Sequence, residues 1–134
     1  RAEALEPLVA STHRDRPDRL RCAAIAALGS LAEHLPDARV TIRERLVEVL
    51  EEGGFRTSLA ALPALQELGD PASLPAIERV RTGAADGRVM RTAYEAAVGL
   101  RRRRDARLSE IQDRADALAR AQDALRERVD RLER

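Results

Sequence analysis

The residue types that most often carry catalysis or bind metal are present in this chain, but they are scattered. The two histidines, His13 and His34, lie at loop or helix ends without a second histidine or cysteine at ligand spacing, so a metal site is disfavoured. The carboxylates of Glu51, Glu52 and Asp70 fall at predicted helix ends. Helix-terminal or solvated roles suit such positions better than acid–base catalysis. We therefore expect no metal and no bound cofactor in this segment.

Nucleophiles are equally isolated. Cys22 is the single cysteine and lies in an apolar helical pattern, where a packed side chain is expected rather than a reactive thiol. The sequence shows no basic partner for Ser11, Ser30, Ser58 or Ser73. Gly53-Gly54 lacks the Lys-Ser/Thr that follows the glycines of a phosphate-binding loop. The sequence predicts no catalytic residue.

One group of charges stands out, and we call it the Arg cluster. Its members are Arg88, Arg91, Arg101, Arg102, Arg103, Arg104 and Arg107. Only Glu95 and Asp105 oppose them between positions 88 and 107. The simplest interpretation is a solvated junction between two helical segments; the alternative is an anion-binding patch for nucleic acid or an acidic protein. Because no aromatic residue other than Tyr94 lies in this stretch, base stacking is disfavoured.

Composition narrows the fold class to all-α. The chain has 134 residues, is 44% apolar and 35% charged, and contains only 1% aromatic residues, which is typical of closely packed helices. The formal net charge is +1, so no global field attracts the chain to nucleic acid or membrane. No apolar run approaches the roughly 20 residues of a membrane-spanning helix.

Proline and glycine divide the chain into helices of alternating length. A short helix is predicted from Glu3 to Ser11, followed by a long helix that Asp15 caps and Pro36 ends. The next helix is capped by Asp37, directs Val40, Leu46, Val47 and Leu50 inward, and stops at Gly53-Gly54. Later helices are predicted from Phe55 to Gly69, with a kink at Pro63, from Ser73 to Arg81, and from Arg88 to Arg134.

Superposing the three long helices reveals a repeat. Their aligned layers are Leu20, Thr57 and Val89; Ala24, Ala61 and Ala93; Ala27, Ala64 and Ala96; Leu28, Leu65 and Ala97; and Leu31, Leu68 and Leu100. Small residues in the middle layers allow neighbouring helix backbones to approach closely. No helix pair can bury its apolar face alone, so the pattern predicts pairs that stack on one another.

Three segments, LRCAAIAALGSL, ALQELGDPASLPAIERV and DGRVMRTAYEAAVGL, resemble HEAT repeats. The resemblance covers residues 1–100 and implies a short α-solenoid of antiparallel helix pairs. Asp15 and Arg21 stand where that family has an Asp–Arg pair that ties adjacent turns together. The third repeat departs from the family pattern, because Met90 occupies the usual arginine position.

A narrower resemblance concerns the whole second half. The run from RERLVEVLEEGGF to PAIERV, then DGRVMRTAYEAAVGL and an Arg-rich heptad tail, is similar to the C-terminal end of some bacterial aminopeptidase-N-type zinc metallopeptidases. The HExxH helix of that family is absent, so no catalytic residue is carried over. The resemblance implies an enzyme parent whose repeats shape substrate access. The chain begins at Arg1 within a helical pattern, and we expect a fragment of a larger protein.

From Leu108 onward the apolar spacing becomes regular, and we call this stripe the heptad seam. Its a positions are Leu108, Ala115, Gln122 and Val129, and its d positions are Ile111, Leu118, Leu125 and Leu132. Four heptads with an apolar residue at every d position predict a coiled coil, and leucine at d favours a parallel two-stranded one. An antiparallel pair or a different partner helix stays open.

The sequence thus predicts residues 1–100 as HEAT-like repeats and 101–134 as a coiled-coil helix continuous with the last repeat. The expected partners are a second copy of the chain or the rest of its parent, and neither a membrane nor nucleic acid. Lysine and asparagine are absent, which suggests a GC-rich bacterial genome. We expect a bacterial cytoplasmic protein, although no residue pattern indicates its location.

Overall fold

The computed structural model describes residues 2–134, and these residues are helical throughout apart from short turns. The α-helices are α1 (Leu5–Ser11), α2 (Asp18–Leu31), α3 (Arg39–Glu51), α4 (Phe55–Leu68), α5 (Leu74–Gly83) and α6 (Gly87–Glu133). Single 3₁₀ turns, Ala2–Ala4, Pro36–Ala38 and Pro71–Ser73, precede α1, α3 and α5. No β-strand occurs between residues 2 and 134. The all-α prediction is therefore confirmed.

The chain separates into two compact units, Arg1–Arg101 and Arg102–Arg134, with the boundary inside α6. The first unit contains the core, to which α2, α3, α4, α5 and the beginning of α6 all contribute buried side chains. Residues of the second unit are exposed along its whole length.

Glycine determines where α3 and α4 end. Gly53 (φ 80°) follows α3, and Gly69 (φ 77°) is the left-handed C-cap of α4. Glycine adopts this conformation without the steric cost that a Cβ imposes. Both predicted helix ends are confirmed. Pro63 lies inside α4 with the helix continuous around it.

The predicted N-terminal caps are wrong. α2 begins at Asp18 with Pro17 at the N-cap position, so Asp15 lies outside the helix. α3 begins at Arg39 after the Pro36–Ala38 turn, with Ala38 at the N-cap position and no side-chain cap. Asp37 is one residue too early to cap α3, because a proline-initiated 3₁₀ turn takes up that part of the chain.

The inward face of α3 also differs from the prediction. Val40 is 53% exposed, whereas Ile42 and Val49 are fully buried together with Leu46. Apolar residues on this helix form two overlapping stripes, and the stripe that contains Ile42 packs into the core of the first unit. The aligned layers of the long helices are buried except at three positions of α2, where Leu20 is 43% exposed and Ala27 and Leu31 are partly exposed.

Close backbone approach explains the small residues of the long helices. A Cβ placed on Gly29 of α2 would lie 3.0 Å from the Cβ of Ala64 in α4. A Cβ on Gly99 of α6 would clash with the side chain of Gln66 in α4. α4 therefore lies between α2 and the first part of α6, in contact with both.

Candidate interaction surfaces

The heptad seam lies on one uninterrupted helix and is open to solvent. Its large apolar side chains are between 51% and 85% exposed, and they are Leu108, Ile111, Leu118, Leu125, Val129 and Leu132. Ala115 and Gln122 are exposed as well. Residues spaced by three and four positions share one face of a helix. An apolar stripe of this length on a charged helix marks an interaction surface.

The polar residues that flank the seam are largely solvated. Gln112 donates a hydrogen bond from Nε2 to Oδ1 of Asp116 at 2.9 Å, which is an i,i+4 contact along the helix. Such contacts contribute only a few tenths of a kcal/mol to helix stability. The 33 residues of the second unit therefore gain little from their own side chains, and burial of the seam is the main stabilisation open to them.

In the first unit, the members of the Arg cluster have different local partners. Arg88 stacks over the Phe55 ring, with its guanidinium carbon 4.6 Å from the ring centroid, and its Nε lies 3.5 Å from Oδ1 of Asp86. Arg101 donates a hydrogen bond to Glu78 on α5. Arg91 is exposed. Arg101 follows Arg88 by 13 positions, which is roughly 20 Å along the helix axis, so the two do not form one site.

In the second unit, Arg102, Arg103, Arg104 and Arg107 are exposed. Consecutive helix residues point about 100° apart, so these side chains surround the helix rather than face one direction. Nε of Arg104 lies 3.6 Å from Oδ1 of Asp105. Within each unit, therefore, the arginines resemble a solvated charged surface more than a preformed anion site.

Two carboxylates next to these arginines have lowered pKa values. The hydrogen bond from Arg81, together with the one from Arg101, lowers the pKa of Glu78. The backbone N–H of Arg88, which donates to Asp86 at 2.8 Å, lowers the pKa of Asp86. Glu78 and Asp86 are thus held in the charged carboxylate form, which stabilises their contacts with the neighbouring arginines. A carboxylate in this form does not act as a proton donor.

A buried polar cluster that the sequence analysis missed lies between α1, α2 and α3. Nε of Arg21 donates to the carbonyl of Thr12 at 2.9 Å, and its Nη2 donates to Oε1 of Glu52 at 2.5 Å. Nε of Arg45 donates to the Thr12 hydroxyl at 2.8 Å. Arg21 is 7% exposed and Thr12 is fully buried. This cluster fastens the end of α1 to the two following helices.

The expected Asp15–Arg21 pair is wrong, because the carboxylate partner of Arg21 is Glu52. Asp15 instead lies 3.8 Å from its neighbour Arg16 on the surface. One sequence signal pointed towards the correct partner: Glu51-Glu52 ends α3, where the helix dipole disfavours negative charge. An acidic pair at that position indicates a nearby arginine.

The candidate nucleophiles have local hydrogen-bond partners: Oγ of Ser30 donates to Oε1 of Glu67 at 3.3 Å, and Oγ of Ser11 donates to the carbonyl of Pro7 at 2.9 Å. His13 and His34 are exposed, and nowhere in residues 2–134 do three His, Cys, Asp or Glu side chains gather closely enough to hold a metal ion. Sγ of Cys22 donates to the carbonyl of Arg56 at 3.6 Å. Burial raises the pKa of the Cys22 thiol, which keeps it protonated and weakly nucleophilic at neutral pH.

A groove of about 640 Å³ opens in the first unit where α3 and α5 end and α4 and α6 begin. Its walls are mainly apolar, with Leu50, Ala76, Val80 and Val89 among them. Ser58 of α4 lines it as well, and its charged lining residues are Glu51, Arg79 and Asp86. Sequence reasoning did not find this groove, because four helix termini from separate parts of the chain form it.

No helix between residues 2 and 134 has the length and apolar character needed to cross a membrane. The chain matches no protein-family model, and no curated protein or solved structure is significantly similar to it. The functional argument therefore depends on the surfaces described above.

Proposed function

We propose that this chain is a non-catalytic scaffold in which a short HEAT-like stack carries a self-associating coiled-coil tail. The observation that carries the proposal is the heptad seam, with six large apolar side chains exposed on one face of α6. Full burial of each such side chain contributes roughly 1.5–3 kcal/mol. A second copy of the same helix covers all of them at once.

Gln122 and the flanking charges support a parallel, in-register pair. In that arrangement, Gln122 at position a faces Gln122 of the partner subunit, and the two amides can hydrogen-bond to each other. In a fully overlapping antiparallel pair, Gln122 faces a leucine of the partner helix. Its amide then has no hydrogen-bond partner, which is costly in an apolar interface. The parallel pairing also places Arg128 opposite the partner's Glu133.

The close approach of α2 and α4 at Gly29 and Ala64 supports the stack. Gly99 of α6 lies against the side chain of Gln66 in α4, which is a side-chain contact and not a second close backbone approach. A larger bacterial parent, such as an aminopeptidase-N-type zinc metallopeptidase, is part of the proposal. It rests only on the sequence resemblance that begins at Arg43 and includes the Arg-rich heptad tail, and the parent's activity and substrates are part of the same proposal.

The alternative is binding of nucleic acid or an acidic partner through the Arg cluster. It has less support, because Arg88 and Arg101 already contact Asp86 and Glu78. A salt-dependent affinity for DNA or RNA would be its signature.

Sedimentation equilibrium of a double variant, Leu118→Asp with Leu125→Asp, tests the self-association. Two carboxylates per chain at adjacent d positions have no counter-charge in the pair, so we expect a monomer. The helical signal of the first unit should be unchanged, since its core lies elsewhere in the chain.

The matched control is Ala117→Asp with Ala124→Asp, which adds the same charges one residue earlier, at exposed c positions. This control should remain dimeric. An unmodified chain that is monomeric, or a leucine variant with an unchanged dimer mass, would contradict the proposal.

A further inference from the structure

The groove of about 640 Å³ in the first unit has features of a small-molecule site, and it is separate from the heptad seam. Its volume falls in the range of roughly 300–1,000 Å³ that is usual for ligand pockets. The floor consists of buried side chains, since Leu50, Ala76 and Val89 are 1%, 4% and 6% exposed. Phe55 at its edge is 38% exposed. The groove therefore has a packed apolar floor, and Phe55 adds an exposed aromatic surface at its edge.

Ser58 places a hydroxyl group in this mainly apolar lining. Ser58 is 3% exposed and lines the groove. Among the described residues, the fully buried side-chain atoms without a hydrogen-bond partner are Nε of Arg43 and Oγ of Ser73, so the Ser58 hydroxyl is not an unsatisfied buried group. Its place in the groove lining allows it to donate a hydrogen bond to a ligand atom.

The first turn of α4 supplies further donors beside Ser58. Gly54 is the N-cap of α4, and no side chain caps the helix there, so the N–H groups of the first turn lack an intrahelical acceptor. Residues four apart share a helix face, so Ser58 lies on the same face of α4 as Gly54, about one turn further along the helix. The positive end of the helix dipole and the Ser58 hydroxyl thus favour an anionic acceptor in the same corner of the groove.

The charges around the groove are compatible with one bound anion. Glu51 and Asp86 are its two acidic lining residues, and each is already paired: Glu51 lies 3.7 Å from Nη2 of Arg79, and Asp86 accepts from the N–H of Arg88. Side chains of Arg79 and Glu51 are 63% and 54% exposed. An ion pair this exposed is weak, so Arg79 can exchange Glu51 for a ligand carboxylate.

We propose that this groove binds a monocarboxylate with an apolar body. The carboxylate accepts hydrogen bonds from Ser58 and the first turn of α4, Arg79 supplies the counter-charge, and the apolar body packs on Leu50, Val80 and Val89. Free aliphatic acids and the terminal carboxylate of an apolar peptide share this chemistry. This binding function is independent of self-association through the heptad seam.

The test is a titration of the full chain at pH 7, followed by amide NMR shifts and calorimetry. The probes are octanoate, its neutral analogue octanamide, and an acetylated valyl-leucine dipeptide with a free or amidated terminus. We expect saturable binding of a carboxylate probe, with shifts at Gly54, Ser58 and Arg79, and at least tenfold weaker binding of its amide. Stronger binding of octanoate or of the dipeptide identifies the natural source of the carboxylate.

Ser58→Ala should weaken carboxylate binding roughly tenfold, since a hydrogen bond to a charged group is lost, and Arg79→Gln should weaken it severalfold. The matched controls are Ser30→Ala and Arg91→Gln, two exposed residues outside the groove, which should bind as the unmodified chain does. No binding of either carboxylate, equal affinity for acid and amide, or full affinity of folded Ser58→Ala would each overturn the proposal.

Discussion

The carboxylate of Glu52 connects more of the first unit than any single cap or surface pair does. It lies 2.5 Å from Nη2 of Arg21, 3.6 Å from Nε of Arg14 and 3.9 Å from Nη2 of Arg45. The side chains of Glu52 and Arg21 are only 17% and 9% exposed. Solvent therefore screens this pair less than it screens the surface pairs.

Glu52→Gln should destabilise the chain by about 2 kcal/mol, because it leaves the buried Arg21 without its counter-charge. This figure is below the roughly 3–5 kcal/mol typical of fully buried pairs, since part of Glu52 stays hydrated. The measurement is urea unfolding followed by circular dichroism.

Its neighbour provides the control. Glu51→Gln removes a carboxylate that is 54% exposed and paired at 3.7 Å with Arg79, so the expected change is within about 0.5 kcal/mol. Asp15→Asn should be equally neutral, because Asp15 has no contact with Arg21. Equal losses for Glu51→Gln and Glu52→Gln would mean that the buried cluster contributes nothing beyond surface charge.

At the scale of the helix, the contact between α2 and α4 depends on the absence of a side chain at Gly29. Gly29→Ala should destabilise the first unit by about 1–3 kcal/mol, since the new methyl group lies 3.0 Å from the Ala64 Cβ and 3.1 Å from its Cα. Backbone atoms of a packed helix cannot move aside as a flexible side chain can. Thermal unfolding measured by circular dichroism tests this expectation.

Gly83→Ala is the matched control, because Gly83 ends α5 and an added Cβ meets nothing within 4 Å there. Alanine also has the higher helix propensity, so this variant should be as stable as the unmodified chain or slightly more so. If Gly29→Ala gains the same stability, the two helices are not in close contact at this point.

The boundaries of these helices were predictable where glycine or proline imposes a backbone conformation. Gly53 and Gly69 end α3 and α4 as expected, because their positive φ angles disfavour other residues. Asp15 and Asp37 were poor guides, because each is a suitable cap only if the helix begins at the next residue. Pro17 and Pro36 set later starting points.

The interior contacts were less predictable than the helices. Val40 and Ile42 are both β-branched and lie on the same helix, yet one is 53% exposed and the other fully buried. The packing of α3 against the other helices of the core distinguishes them. The burial of Ser58 was equally hard to predict from the sequence. It shares the groove lining with Val89, which lies 31 positions later in the chain. Periodicity predicts a face of a helix, and long-range packing determines which other elements meet it.

At the scale of the molecule, the two units have different sources of stability. The first unit buries its own core, with side chains such as Leu28, Leu65 and Leu100 fully covered. Every residue of the second unit is exposed, and a single helix of this kind is marginally stable in water. Its folding should therefore depend on association, and association depends on protein concentration.

A comparison of residues 1–134 with a version that ends at Arg104 separates the two contributions. We expect the full chain to sediment as a dimer and the helix of its second unit to unfold at a midpoint that rises with protein concentration. The shorter chain should sediment as a monomer and unfold at a midpoint that does not depend on concentration. If both chains are dimers, the first unit contains the interface and the heptad seam is not needed for assembly. If both are monomers, self-association is wrong, and the exposed leucines of the seam require a different partner helix.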